Sequence, residues 1–292
     1  MPYVLLAVAV LCMSQPANLI RWAHAPIEVI GFWRLGIATA ALAPFAWQAR
    51  ASWLTLDGRR RLLHLAAGVF LFAHLWTYVY AAQHTLIANC MAAFCTHPLL
   101  VGLGAWLFHA EKPTARLGIS YLLAGLGVWA LLSGSMSLDP ARLSGDLAGI
   151  ASAAFYAGYV LLGRSLRRSL DNRAYATGVY AITAALFLAS GLLRGVEFGT
   201  PQPPAFWFAV GALGLGVTLG GHALFSYLLG TMNVNLMTTA KLLEPIFGGL
   251  TAWLAFGEPL RARTGLSFAL IAAAVLVLVT GPTQSGPLPD ED

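Results

Sequence analysis

The sequence predicts an all-α integral membrane protein, with ten transmembrane helices arranged as two inverted five-helix repeats around a central cavity. Three observations carry this expectation. The 292 residues are 58% apolar and only 10% charged, with a mean hydropathy of +0.72. A soluble domain carries roughly 25% charged residues, so this chain lacks the polar surface to face water on all sides. Its apolar residues fall into runs close to the ~20 residues that cross a bilayer core of roughly 30 Å. Finally, the second half of the chain repeats the first.

Ten runs can be drawn: 3–21, 28–47, 62–82, 86–108, 115–134, 144–164, 174–195, 205–230, 234–256 and 263–281. Short connections with helix breakers separate them, such as His24-Ala25-Pro26 and Thr200-Pro201-Gln202-Pro203-Pro204. Residues 1–138 form the first repeat, 139–281 the second, and the Pro- and acid-rich stretch 282–292 reads as a disordered tail. The opening Met1-Pro2-Tyr3-Val4 has no basic region before its apolar run, so a retained first helix is expected rather than a cleaved signal. Cys12, Cys90 and Cys95 lie inside apolar runs, which argues against a disulfide framework and offers no zinc spacing.

The formal charge of +5 does not point to nucleic acid. The basic residues sit in short clusters between apolar runs, where membrane topology accounts for them. With the N-terminus inside, the cytoplasmic loops collect Arg50, Arg59 to Arg61, Lys112, Arg116, Arg164, Arg167, Arg168 and Arg173. The opposite side collects Arg21, Arg142, Arg194, Arg261 and Arg263. This bias predicts that both termini are cytoplasmic.

A shift of 147 residues aligns 80–133 with 227–280 without a gap. Tyr80 meets Tyr227, Pro98 meets Pro245, Gly102 meets Gly249, and Ala105-Trp106-Leu107 meets Ala252-Trp253-Leu254. Glu111 meets Glu258 and Arg116 meets Arg263. An odd number of helices per repeat forces the halves into opposite orientations. Inverted repeats build a substrate site at their interface near the midplane, reached by alternating access.

Ionisable side chains within spans are costly, about 2.5–3.5 kcal/mol for a lone charge on insertion scales, and are functional candidates by default. Lys241 and Glu244 are three apart on one helical face. They are either an ion pair that packs helices or a cavity cation able to meet a carboxylate or phosphate. His97-Pro98 occupies in span four the place that Glu244-Pro245 occupies in span nine, so each half bends beside an ionisable group. His97 reads as a buried, satisfied histidine at a kink or as a proton-sensing hinge. In span three, His74, Thr77 and Tyr78 share one face and Trp76, Tyr80 and Gln83 the other. Polarity favours His74 and Tyr78 for a cavity wall, and the repeat favours Tyr80 with Tyr227. Gln15-Pro16-Ala17-Asn18 suggests a broken first helix with Asn18 near the site. Pro16, Pro98 and Pro245 are the expected hinges. Arg34 reads as structural, pairing with a carboxylate such as Glu28 or with backbone carbonyls. The glycines of span eight read as close packing, and Glu111 and Glu258 as helix caps beside Arg116 and Arg263.

No Walker A motif, zincin, catalytic triad or dinucleotide fingerprint is present. The sequence therefore predicts no cofactor and no metal, and ATP-driven transport by this chain alone is excluded. A secondary carrier, an intramembrane lipid-modifying enzyme and a passive channel remain as function classes. The segment Glu244-Pro245-Ile246-Phe247-Gly248-Gly249, continuing to Gly257-Glu258, resembles the signature that closes the ninth helix in the EamA-type branch of the drug/metabolite transporter superfamily. Pro98 to Glu111 is its first-half copy, Arg34 is the second-helix arginine, and Gly145-Asp146-Leu147 opens the sixth helix. The resemblance covers nearly the whole chain and is closest to exporters of aromatic and other amino acids. It implies a cavity lined by spans 1–4 and 6–9, peripheral helices five and ten, and residence in a bacterial-type inner membrane. It also implies efflux of a small-molecule substrate, driven by a proton or substrate gradient.

Overall fold

The computed structural model describes residues 2–109, 115–138, 140–166, 170–224, 228, 240–241, 243–259 and 261–280. Glu111, Tyr227 and the tail lie outside them. Among the described residues every regular element is helical. Span one comprises α1 (Pro2–Met13) and α2 (Pro16–Ala23). Next come α3 (Ile27–Gln48), the short α4 (Ala51–Leu54) and α5 (Gly58–His84). Span four comprises α6 (Ile87–Phe94) and α7 (His97–His109). α8 (Ala115–Leu138) leads through a 3-10 turn at Pro140–Arg142 to α9 (Leu143–Leu166) and α10 (Asn172–Leu193). α11 (Pro204–Gly211) runs on as a π-helical segment, Ala212–Ala223, and α12 (Glu244–Phe256) and α13 (Ala262–Val279) follow. Six helices among the described residues are long and apolar enough to cross a membrane, and three shorter apolar helices accompany them.

The local sequence explains where helices start and stop. Asp57 accepts a hydrogen bond from the Arg60 N–H at 2.7 Å and Asp171 from the Arg173 N–H at 2.8 Å, so each caps the helix that follows a loop. The three expected hinge prolines do not kink continuous helices. Pro16, Pro98 and Pro245 each sit in the first turn of a helix that restarts after a break. There the missing N–H costs nothing, because it would have had no intrahelical partner. Gly257 closes α12 with φ +64°, the left-handed conformation that only glycine adopts without strain.

Large apolar side chains face outward, among them Leu193, Trp129 and Leu122 at 88%, 69% and 66% exposure. In water this would be an aggregation surface; against acyl chains it is the matching solvent. Ile20, Ile30, Phe187, Phe206 and Leu213 fill the interior instead.

Helix pairing follows a pattern. α5 packs along α9, and α1 along the π-helical segment; α6 and α7 meet α9, and α12 meets α1. α10 meets α5, and the π-helical segment meets α3. α3 pairs with α10, α6 with α12, and α8 with α13 at the edge of the bundle. Exchanging each span with the one five places later carries every one of these pairings onto another of them or onto itself.

The α5–α9 contact depends on Gly145. A Cβ there would lie 2.7 Å from the His84 carbonyl carbon and 2.8 Å from the Thr85 nitrogen. Backbone atoms cannot rotate away, so α9 would have to move. Gly145→Ala is expected to destabilise the fold by about 1–3 kcal/mol, the usual cost of overpacking. An unchanged unfolding midpoint in detergent would show that the two helices do not approach this closely.

Candidate functional site

The three helix breaks converge. Pro16, Pro98 and Pro245 line one interior cavity, together with His97 and Glu244 beside the latter two. The N-terminal ends of α2, α7 and α12 therefore face it, and each carries positive partial charge from unpaired N–H groups. The wall is completed by Met13, Arg34, His74, Leu75, Tyr78, Met91, Phe94, Cys95, His222 and Lys241. About 60 Å³ is open to water-sized molecules, room for a few waters.

Lys241 and Glu244 face each other at 3.9 Å, both largely buried. This is an ion-pair distance but too long for a hydrogen bond. The Glu244 Oε1 atom accepts no hydrogen bond among the described residues. A buried carboxylate oxygen without a donor is uncommon and calls for a reason.

The aromatic and imidazole groups are ordered around Phe94. His97 stacks on it at 4.7 Å and His74 at 5.3 Å, while Tyr78 meets it edge-on at 5.5 Å. His97 Nδ1 lies 3.0 Å from the Phe94 carbonyl oxygen. A carbonyl can only accept, so Nδ1 carries the proton and Nε2 remains available as an acceptor in the neutral ring. His74 Nδ1 lies 2.8 Å from the Ser152 hydroxyl, which ties the cavity wall to α9.

The two faces of span three meet different surroundings. His74 and Tyr78 line the cavity; Trp76 and Tyr80 do not. Trp76 donates to Glu28 at 3.3 Å and stacks on Tyr80, which in turn stacks on His84. The repeat argument favoured Tyr80 because related positions share a place in the fold, but a helix turns only one face inward. Asn18 is also not on the wall. It is buried two residues beyond Pro16, donating to the Gly248 carbonyl at 3.1 Å and so fastening the α2 break to α12.

Arg34 departs from expectation in the other direction. Glu28 pairs with Arg194 at 2.9 Å, and Arg34 instead donates to the Thr218 hydroxyl at 3.3 Å while lining the cavity. Thr218 donates onward to the Leu213 carbonyl, one π-helical turn back. His222, on the same segment, also lines the cavity, although the glycines around it in the sequence point only to packing. The rule that selected the other candidates, an ionisable group within an apolar run, selects it too.

Glu258 caps a helix, though not its own. One oxygen accepts from the Ile87 N–H at the start of α6 at 2.8 Å, and the carboxylate pairs with Arg21. Arg263 donates to the Ser133 carbonyl instead. Beside this pair, Asp146, fully buried, accepts from Thr85 at 2.6 Å and Asn89 at 3.3 Å, and Asn89 accepts from Thr264 at 2.6 Å. These contacts clasp spans one, three, four, six, nine and ten together at one end of the bundle.

A helical membrane protein whose broken helices meet at a buried polar cavity has the architecture of a multi-pass membrane transporter. Comparison with known proteins makes the assignment. Residues 1–133 and 143–280 each match the EamA-like transporter family, and the chain belongs to it. An uncharacterized transporter of Bacillus subtilis, YwfM, is 25% identical over 87% of this chain and 84% of its own. The threonine/homoserine exporter RhtA of Escherichia coli K12 is 25% identical over 94% and 90%. The riboflavin transporter of Brucella anthropi is 32% identical over 57% and 58%. A solved crystal structure aligns over 94% of this chain and 96% of its own with a TM-score of 0.65 at 21% identity, a likeness of fold. The chain is a small-metabolite transporter and not an enzyme.

Proposed function

We propose that the chain exports neutral amino acids, large ones included, across the plasma membrane by alternating access between two inverted five-helix halves. The helix pairings that interchange when the halves are exchanged support the two-fold arrangement, as do the two separate family matches. Ten helices with both termini cytoplasmic complete the reading.

The observation that carries the substrate class is the loose Lys241–Glu244 pair, in which Glu244 Oε1 faces the ammonium at 3.9 Å and accepts no hydrogen bond among the described residues. A zwitterion would part the pair as the cavity opens, its carboxylate on Lys241 and its ammonium on Glu244 or an aromatic face. Phe94, Tyr78 and the methionines Met13 and Met91 offer an apolar bed for the side chain. RhtA, by its name, exports threonine and homoserine, which supports the same class.

The test is efflux of preloaded threonine, methionine, phenylalanine and tryptophan from proteoliposomes, with and without a pH gradient, alongside riboflavin. Saturable, counterflow-competent flux of at least one amino acid is the expected result. Flux of riboflavin, a sugar phosphate or a lipophilic cation with none of any amino acid would overturn the substrate class. For orientation, single cysteines in the 50–61 and 164–173 loops should resist an impermeant external reagent in intact cells. Ready labelling of both loops would reverse it.

A further inference from the structure

At the clasped end of the bundle lies a second recess, of about 630 Å³. Arg21, His24, Gln83, His84, Thr85 and Arg142 line it, with no carboxylate among the described lining residues. The guanidinium groups of Arg21 and Arg142 stand on one concave wall with two imidazoles, and water screens charges poorly in such a recess. We propose that this vestibule is a binding site for a small carboxylate, separate from the central cavity.

Three features show that the wall is built rather than incidental. Arg21 is held in place: its guanidinium donates to the Ala82 and Thr85 carbonyls and pairs with Glu258 behind it. Its orientation is therefore fixed before any ligand arrives, which lowers the ordering cost of binding. His84 is fixed as well, stacked on Tyr80 with Nδ1 2.8 Å from the Tyr80 carbonyl. That carbonyl must accept, so Nδ1 holds the proton and Nε2 is left for a ligand, a donor when the ring is charged. His24 is the third. It occupies the left-handed conformation, φ 44°, at the C-terminus of α2, and no other non-glycine described residue has positive φ. Glycine is the usual occupant of such a position; here the chain places an imidazole on the vestibule wall instead.

Arg21, on the vestibule wall, is also the partner of Glu258 in the clasp at this end. A carboxylate bound there competes with Glu258 for Arg21, which couples occupancy to the clasp. That the carboxylate comes from the central cavity as departing substrate rests on the exporter reading; the existence of the site does not.

The test does not use transport. In a background with Cys12, Cys90 and Cys95 replaced by serine, Gln83→Cys places one thiol on the wall. Reaction rates with anionic and cationic methanethiosulfonate reagents are measured in phosphatidylcholine nanodiscs and normalised to a free thiol. The anionic reagent is expected to be favoured about tenfold, a modest steering effect, and millimolar propionate or threonine to slow the labelling. Adding Arg142→Gln and His24→Gly should bring the ratio near one, and the glycine relieves backbone strain rather than threatening the fold. Equal rates for the two reagents would overturn the proposal. So would a charge preference without protection by either carboxylate, or protection that appears only when phosphatidylglycerol is added, which would make the recess a lipid-headgroup site. Because no flux is read, failure here leaves the exporter assignment standing, and absent flux leaves this site standing.

Discussion

Lys241→Ala is expected to raise the apparent KM for amino-acid efflux by at least about thirtyfold while the protein still folds and inserts. Removing the protein partner of a buried charge-assisted contact costs about 2–5 kcal/mol, and each 1.4 kcal/mol is a factor of ten. A purely structural pair would behave differently. Stranding one member of a tight buried ion pair costs about 3–5 kcal/mol of stability, and the loss would appear in unfolding before it appeared in transport. At 3.9 Å the Lys241–Glu244 contact is too long for the hydrogen bond that a tight pair needs. The double variant Lys241→Met with Glu244→Gln removes both charges and leaves neither stranded. It should be stable and inactive. Native transport by that variant would remove the pair from the substrate site.

Glu258→Ala should show the reverse pattern, a large loss of stability. Its carboxylate pairs with Arg21 and also accepts the Ile87 N–H that opens α6. Both partners of the ion pair are mostly buried, with side-chain exposures of 21% and 10%. The truncation leaves a guanidinium without its counter-charge and a helix N-terminus without its acceptor, at a cost of about 3–5 kcal/mol. Glu258→Gln keeps an acceptor for Ile87 and loses only the charge, so it should cost distinctly less. The check is thermal or denaturant unfolding of the purified variants, with Arg21→Leu closing a double-mutant cycle. A Glu258→Ala penalty below about 1 kcal/mol, or additive effects of the two sites, would mean that the clasp does not hold this end closed.

The candidate site was legible to the extent that its chemistry is local. Lys241, Glu244, His97 and His74 stand out because each is an ionisable group in an apolar run, and membrane insertion makes such residues rare. The prolines were legible because each removes a helix N–H, although they restart helices rather than bend them. Where sequence reading failed, the missing information was a distant neighbour. Trp76 and Tyr80 differ from His74 and Tyr78 only in helix face, and the partners that fix the face, Glu28 and Ser152, lie far along the chain. Glu258 is a helix cap, as its sequence position suggests, but the helix it caps is α6 and its ion-pair partner is Arg21, from the opposite terminus of the chain.

Composition and span length alone determined the solvent of this protein, since a chain with so few charges cannot satisfy water around its whole surface. The 147-residue repeat marked two related halves, and the family model likewise matches the chain twice, at residues 1–133 and 143–280. Tertiary structure decided which polar groups share a cavity. Arg34, His222 and Lys241 are far apart along the chain, and no local periodicity records that they share one wall. The clasp at the Arg21 end was decided there too. Its charges are affordable in the membrane only as partners, and partnership across the fold is a property of packing rather than of sequence order.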